Sequence, residues 1–339
     1  MRSLLSGAMK NPLKILSIDG GGIRGLIPAV LLAEIEKKTG TPVARLFDLI
    51  AGTSTGGILA LLLATAHPDG APRYRAAQIV EFYEREGPNI FKRSWLHRLL
   101  AVGNLKQEKY PDAGIERVLA DYFGDSRLRD ALTSLLIPSY EIERRFPFFF
   151  RSTMARARAD YDYPMRDVAR ATSAAPTYFS PIKLSAANTA ESYALIDGGV
   201  FANNPAACAL VEAMTTHPGA EGCVLVSLGT GTLTRSIRYA DAKNWGIAKW
   251  AKPVLDVVFE GVSSTVDYQM RQLLPDTPGT SGRYFRFQAA LDGSHQAMDD
   301  ASTANITALK ALGLKLAEER RQDIDELCAA LVPSAGVAK

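Results

Sequence analysis

The stretch Phe47-Asp48-Leu49-Ile50-Ala51-Gly52-Thr53-Ser54-Thr55-Gly56-Gly57-Ile58-Leu59-Ala60-Leu61-Leu62-Leu63 constrains the fold more than any other part of the chain. An apolar run suited to a buried strand meets a serine with glycine two residues away on each side, and a helix-forming run follows at once. This is the Gly-x-Ser-x-Gly nucleophile elbow, set between strand and helix as that motif requires. The turn forces the serine into a strained backbone conformation, and Gly52 and Gly56 let strand and helix approach without side-chain clash. Ser54 is then held clear of the turn, at the amino end of a helix whose unpaired N–H groups favour developing negative charge.

A second loop shares that setting. Lys14-Ile15-Leu16-Ser17-Ile18 reads as a buried strand, Asp19-Gly20-Gly21-Gly22-Ile23-Arg24-Gly25 follows, and Leu26 to Lys38 is helical in period, with Pro28 acceptable in the first turn and Gly40 as a stop. With the strand before Ser54 this makes a βαβ unit, both loops lying at the carboxyl edge of a parallel sheet, where α/β proteins place their sites. Gly20, Gly22 and Gly25 also satisfy Gly-x-Gly-x-x-Gly, so a nucleotide-binding, non-hydrolytic protein built on Gly20 to Gly25 is an alternative. That fingerprint wants an acidic residue at the end of the second strand, which here ends Ala51-Gly52-Thr53-Ser54. The favoured reading makes Gly20, Gly21 and Gly22 a cradle of backbone N–H groups for an oxyanion, with Arg24 adding positive charge or bracing the loop.

Further on, Leu135 to Glu143 and Pro147 to Ser152 read as two strands joined by a polar turn, and Arg166 to Ser173 as a short helix. Tyr193-Ala194-Leu195-Ile196 is a strand that delivers Asp197-Gly198-Gly199 to its carboxyl end, and a helix follows Asn203-Asn204-Pro205. Cys223 to Leu228 repeats the theme of buried strand into glycine loop. Lys243 to Met270, with Trp245 and Trp250, reads as helical and serves either as a lid or as ordinary packing. Phe91 to Leu100 interleaves cations with bulky apolar residues, which suits a lipid interface or a surface helix packed on its own protein. The segment Pro275 to Gly282 reads as a loop, Arg283 to Phe287 as a strand, and Asp299 to Leu331 as helical.

A serine hydroxyl needs a base. The sequence holds four histidines, and a hydrolase order of triad residues leaves His217 and His295, neither of which follows a strand as a catalytic loop residue does. Asp197 has the better address, because a partly buried carboxylate touching the serine can take its proton directly. The remaining composition excludes other classes. A net charge of +3 gives no global signal for nucleic acid, and three widely spaced cysteines make neither a disulfide scaffold nor a zinc site. The first twelve residues lack the apolar stretch of a secretory signal, and no run approaches the roughly 18 to 20 apolar residues of a membrane span.

The blocks Asp19-Gly20-Gly21-Gly22-Ile23-Arg24-Gly25, Gly52-Thr53-Ser54-Thr55-Gly56 and Asp197-Gly198-Gly199 together resemble the patatin-like phospholipase family, as does Ser173-Ala174-Ala175-Pro176-Thr177-Tyr178-Phe179. The resemblance covers about Lys14 to Thr232. It implies a three-layer α/β/α fold with a mostly parallel central sheet and an α/β-hydrolase type of elbow. It implies a Ser54–Asp197 dyad without histidine, an oxyanion hole on Gly20, Gly21 and Gly22 with Arg24 assisting, and no metal or cofactor. The implied reaction is hydrolysis of acyl esters of membrane phospholipids through an acyl-serine. Asp-Gly-Gly departs from the Asp-Gly-Ala of many members without touching the chemistry.

The expected organisation is an amino-terminal extension over 1–13, a catalytic core over 14–232 and a helical part over 233–339 in the same domain, serving as lid or regulator. The segment from Leu228 to Ser302 is similar to bacterial patatin-like effectors switched on by a cyclic dinucleotide in anti-phage defence. The protein expected is therefore cytoplasmic, peripheral to the inner face of the membrane and indifferent to DNA and RNA. Its oligomeric state, a homodimer among the options, stays open.

Overall fold

The computed structural model describes residues 12–92, 110–234, 236–250, 253–274, 282–291 and 297–332. Its strands are β1 (Leu13–Ile18), β2 (Leu49–Gly52), β3 (Ser134–Glu141), β4 (Phe146–Arg151), β5 (Ile182–Ser185), β6 (Ser192–Asp197), β7 (Cys223–Leu228), β8 (Thr232–Leu233), β9 (Gly282–Phe287) and β10 (Ala290–Leu291). Eight of them form one sheet in the order β5-β6-β3-β2-β1-β7-β9, with β4 on β3, while β8 and β10 pair separately. The β3–β2–β1–β7–β9 run is parallel throughout, and β4, β5 and β6 join it by antiparallel pairing.

Buried parallel strands carry apolar residues on both faces, and the central strands here do so. Leu16, Ile18, Ile50, Ile137, Val224 and Val226 join one apolar cluster with the helices Leu26–Thr39, Thr55–Ala64 and Thr303–Glu319. Their neighbours Ile15, Leu49, Ala51, Leu136 and Leu225 face the other way, against the helices Ala206–Thr216 and Pro253–Leu273. The result is three layers, α/β/α, and the mostly parallel sheet expected from sequence.

One detail of pairing places the site. Residues 139–141 of β3 pair with β4 on one edge and β6 on the other, and Leu136 pairs with both β4 and β2. The strands β2 and β6 therefore share an edge of β3. The first runs parallel to β3 and the second antiparallel, so their carboxyl ends point at each other across a gap beside Ile137 and Pro138. Ser54 follows β2, and Asp197 closes β6.

The part beyond residue 232 is not purely helical: β9 is a parallel strand of the central sheet beside β7, with Phe285 and Phe287 in the main apolar cluster. A helix runs from Ala76 to Ile90. Neither β5 nor the one-turn helix Gly199–Ala202 was expected, because four-residue elements show no period to read. Residues 93–100 of the aromatic and basic stretch, nearly all of the expected loop over 275–282 (residues 275–281), and His295 lie outside the described residues.

Candidate active site

The elbow is built as its spacing requires. Ser54 has φ 55° and ψ −123°, a region that side chains avoid. A Cβ on Gly52 would fall 2.1 Å from the Gly56 carbonyl oxygen, and one on Gly56 would fall 2.3 Å from that of Ile18, so strand, turn and helix close only with glycine at both places. All ten residues of the helix Thr55–Ala64 are buried. Thr53 Oγ1 donates to the Ala202 carbonyl at 2.6 Å, tying the elbow to the helix Gly199–Ala202 that follows Asp197.

The gap between β2 and β6 is bridged by Thr172. Its hydroxyl donates to the Pro138 carbonyl at 2.6 Å and accepts the Ser54 N–H at 3.0 Å. Proline is tolerated mid-strand here because on the edge shared by β2 and β6 neither strand reaches Pro138. The Asp197 N–H donates to Ala174, within the Ser173 to Phe179 block. Gly198 packs on the Pro138 carbonyl, and the Gly199 N–H donates to Asp197 Oδ1 at 2.7 Å.

Asp197 is 1% exposed, and burial raises its carboxyl to about 7 against the opposing pull of the Ser54 side chain and the Gly199 N–H. Ser54 thus lies close enough to stabilise the carboxylate, while Oδ2 has no aligned hydrogen bond. Catalytic contacts without substrate are commonly loose in this way. A buried carboxyl with one oxygen unpartnered and a pKa near neutrality is suited to accept a proton and return it.

The glycine loop refines the expected cradle. The Gly20 N–H donates to the Asn203 carbonyl at 2.9 Å, so Gly20 is not a free oxyanion donor; its part is close approach, for a Cβ there would lie 3.3 Å from Ser54 Cβ. The next two N–H groups are aimed from behind. Thr230 Oγ1 donates to the Gly20 carbonyl at 2.6 Å, and Arg24 Nε donates to the Gly21 carbonyl at 3.2 Å. In a trans peptide the N–H points opposite to the C=O. The Gly21 and Gly22 N–H groups therefore face away from these tethers, and among the described residues they donate to no protein atom. Gly22 has φ 60° and the Met298 carbonyl against its α-carbon, so only glycine fits. Arg24, 7% exposed, braces the loop from the far side of the pocket. Gly25 lies against the Thr55–Tyr83 hydroxyl pair.

Gly21, Gly22, Ser54 and Asp197 line one pocket of about 650 Å³ out to its open mouth, walled by Ile58, Phe82, Ile115, Phe179, Phe259 and Met298. Among the described residues no histidine lines it, and His217 is exposed at the end of the helix Ala206–Thr216. Among the described residues no group of three or more His, Cys, Asp or Glu is placed to hold a metal ion. No described helix is long and apolar enough to cross a membrane.

The family model for patatin-like phospholipases matches residues 16–210. The chain is 33% identical to Patatin-like protein 4 of Arabidopsis thaliana over 335 residues, 90% of this chain and 83% of that protein. The chain belongs to the patatin-like phospholipase family. Another patatin-like relative, 32% identical over 89% of this chain and 85% of its own, is named Probable inactive patatin-3-Kuras 1 of Solanum tuberosum. Family membership alone therefore leaves activity to be argued from the site.

Several residues of this patatin-like site escaped the sequence reading. Thr230 had a signal, the strand-into-glycine loop at Gly229 to Gly231. Asn203 read as a helix cap but spends its carbonyl on Gly20 and its side-chain amide on Ser263 Oγ at 2.9 Å. Thr172, Phe82, Phe259 and Met298 carried no local mark, since only the fold brings them to the pocket.

Proposed function

We propose that this chain is a serine lipid acyl hydrolase of phospholipase A type, working through a Ser54–Asp197 dyad. The observation that carries the reading is the pairing of a strained Ser54 with a buried carboxyl of pKa about 7, in an apolar pocket that no described histidine enters. Asp197 takes the Ser54 proton as Oγ bonds to the ester carbonyl carbon. The Gly21 and Gly22 N–H groups hold the resulting oxyanion. Collapse breaks the bond to the alcohol, which leaves as lysophospholipid with the proton from Asp197. Water then gives a proton to Asp197 and its oxygen to the acyl-serine, and the fatty acid departs as the proton returns to Ser54. The apolar walls suit an acyl chain and exclude competing water.

The test is mass spectrometry of products from a mixed phospholipid extract, comparing wild type with Ser54→Ala and Asp197→Ala. Loss of fatty acid release in both variants with the fold intact is expected; near-normal release by Asp197→Ala overturns the dyad. The nucleotide-binding alternative predicts that a fluorophosphonate leaves Ser54 unlabelled, and the apolar pocket beneath the loop speaks against it. Activation by a cyclic dinucleotide is a separable second proposal, motivated by the Leu228 to Ser302 resemblance, and calorimetric titration with cyclic dinucleotides decides it.

A further inference from the structure

The catalytic pocket shares Tyr178 and Met298 with a second, larger cavity lined by Ile237, Arg238, Trp245 and Val257. Above that cavity the chain runs through two one-turn helices, Tyr239–Ala242 and Ile247–Trp250, into the long helix Pro253–Leu273. A chain folding in water alone buries its large apolar residues, and this segment does the reverse. Ile247 is 92% exposed and Tyr239 82%, and Ile237, Val254 and Val257 are exposed beside them. Trp245 and Trp250 are half-buried against each other, ring centroids 5.2 Å apart and nearly perpendicular, which holds the two turns in one unit without covering Ile247.

The cavity beneath is lined by the acids Asp241, Asp256 and Glu260, the last two set against Arg24. Arg238 is paired with Asp241, whereas Lys243 and Lys249 are exposed and have no acidic partner among the described residues. Exposed aliphatic and aromatic side chains with tryptophans and uncompensated lysines make the pattern of a segment that rests in a bilayer interface, apolar groups among acyl chains and cations on phosphates.

We propose that the Ile237–Trp250 segment, with Val254 and Val257, is the surface by which this protein docks on a phospholipid bilayer carrying anionic headgroups. The proposal rests on the lipid hydrolase reading, since it places the mouth of the Ser54 pocket against the substrate surface. It is a different segment from Phe91 to Leu100, whose pattern suits either a lipid interface or a surface helix packed on its own protein. The charge complementarity and the shared wall with the catalytic pocket select a bilayer over a second copy of the chain, which has no reason to favour the rim of this pocket.

The experiment uses the full chain carrying Ser54→Ala, so that lipid is not consumed, floated with phosphatidylcholine vesicles with and without phosphatidylglycerol. Binding is expected to need phosphatidylglycerol and to be accompanied by a blue shift of tryptophan fluorescence. Tyr239→Ser with Ile247→Ser should weaken it at least about tenfold, and Lys243→Gln with Lys249→Gln by roughly fivefold per lysine at low salt. In the Ser54 background both pairs should leave hydrolysis of a soluble short-chain ester unchanged. Undiminished flotation of the Tyr239/Ile247 pair overturns the proposal, as does conversion of a dimer to a monomer by Ile247→Ser, which assigns the face to a second copy. If the soluble ester is not hydrolysed by wild type, the hydrolase reading fails while the flotation result stands by itself.

Discussion

The Asp19 carboxylate and the Arg286 guanidinium, 267 residues apart, meet through two hydrogen bonds of 2.9 and 2.6 Å with both side chains buried. Asp19 opens the glycine loop and Arg286 lies on β9, so the edge strand of the sheet fixes the first residue of that loop. Ser227 Oγ takes a further Arg286 hydrogen at 2.8 Å, completing a buried network.

Such a pair reveals itself when one member is removed. Arg286→Met leaves the Asp19 carboxylate buried and uncompensated, which costs about 3 to 5 kcal/mol. Urea denaturation should show that loss, and Asp19→Leu combined with Arg286→Met should recover most of it. A single variant as stable as wild type means that the pair is not buried in solution.

Thr230→Val keeps the shape of the side chain and removes the hydroxyl that holds the Gly20 carbonyl. The Gly21 N–H then loses its fixed aim, and transition-state stabilisation falls while ground-state binding in the apolar pocket persists. The expected result on a soluble ester is a drop in kcat of about 10- to 100-fold with KM nearly unchanged. A rise in KM alone would show that Thr230 shapes the pocket and not the oxyanion hole.

How far the site was legible in the chain follows from the range of each interaction. Gly52, Ser54 and Gly56 declare themselves because the constraint acts within five residues: the strand must turn, and only glycine clears it. Asp197 was legible as the polar end of an apolar strand followed by glycines. The fate of the Gly20 N–H was not, since Asn203 reaches it only through the fold. The same holds for Arg286, which reads only as a charged residue in a short strand until Asp19 is placed beside it. The head-on meeting of β2 and β6 on one edge of β3 had no trace in local pattern, because strand direction is set by pairing and not by composition.

The strain at Ser54 makes a stability prediction independent of chemistry. With φ 55° and ψ −123°, any side chain raises the energy of the native state. Ser54→Gly and Ser54→Ala both remove the nucleophile, but only glycine relieves the strain. After allowing for glycine's greater freedom in the unfolded chain, Ser54→Gly should be more stable than Ser54→Ala by about 1 kcal/mol. Matched chemical denaturation of the two variants gives the difference directly, and an equal or lower midpoint for glycine argues that the elbow relaxes in solution.

Asp197 ties stability to activity through pH. Its carboxyl is raised to about 7 from an ordinary value of 3.8, chiefly by burial. A raised carboxyl favours the protonated native state, so its contribution to stability is full below about pH 4. It is lost as pH rises towards 7, where the unfolded chain has already released the proton, and is flat above that. The loss is on the order of 4 kcal/mol. Asp197→Asn cannot ionise and escapes it, so the variant should gain on wild type by that order between pH 4 and pH 8 in denaturation experiments, while losing hydrolysis. Activity runs the opposite way: only the ionised carboxylate accepts the Ser54 proton, so kcat/KM on a soluble ester should rise with pH and reach half its plateau near pH 7. A profile already flat from pH 5 upwards, with no pH-dependent gain in Asp197→Asn, would mean that Asp197 is ionised at its ordinary value and that burial does not tune it as a base.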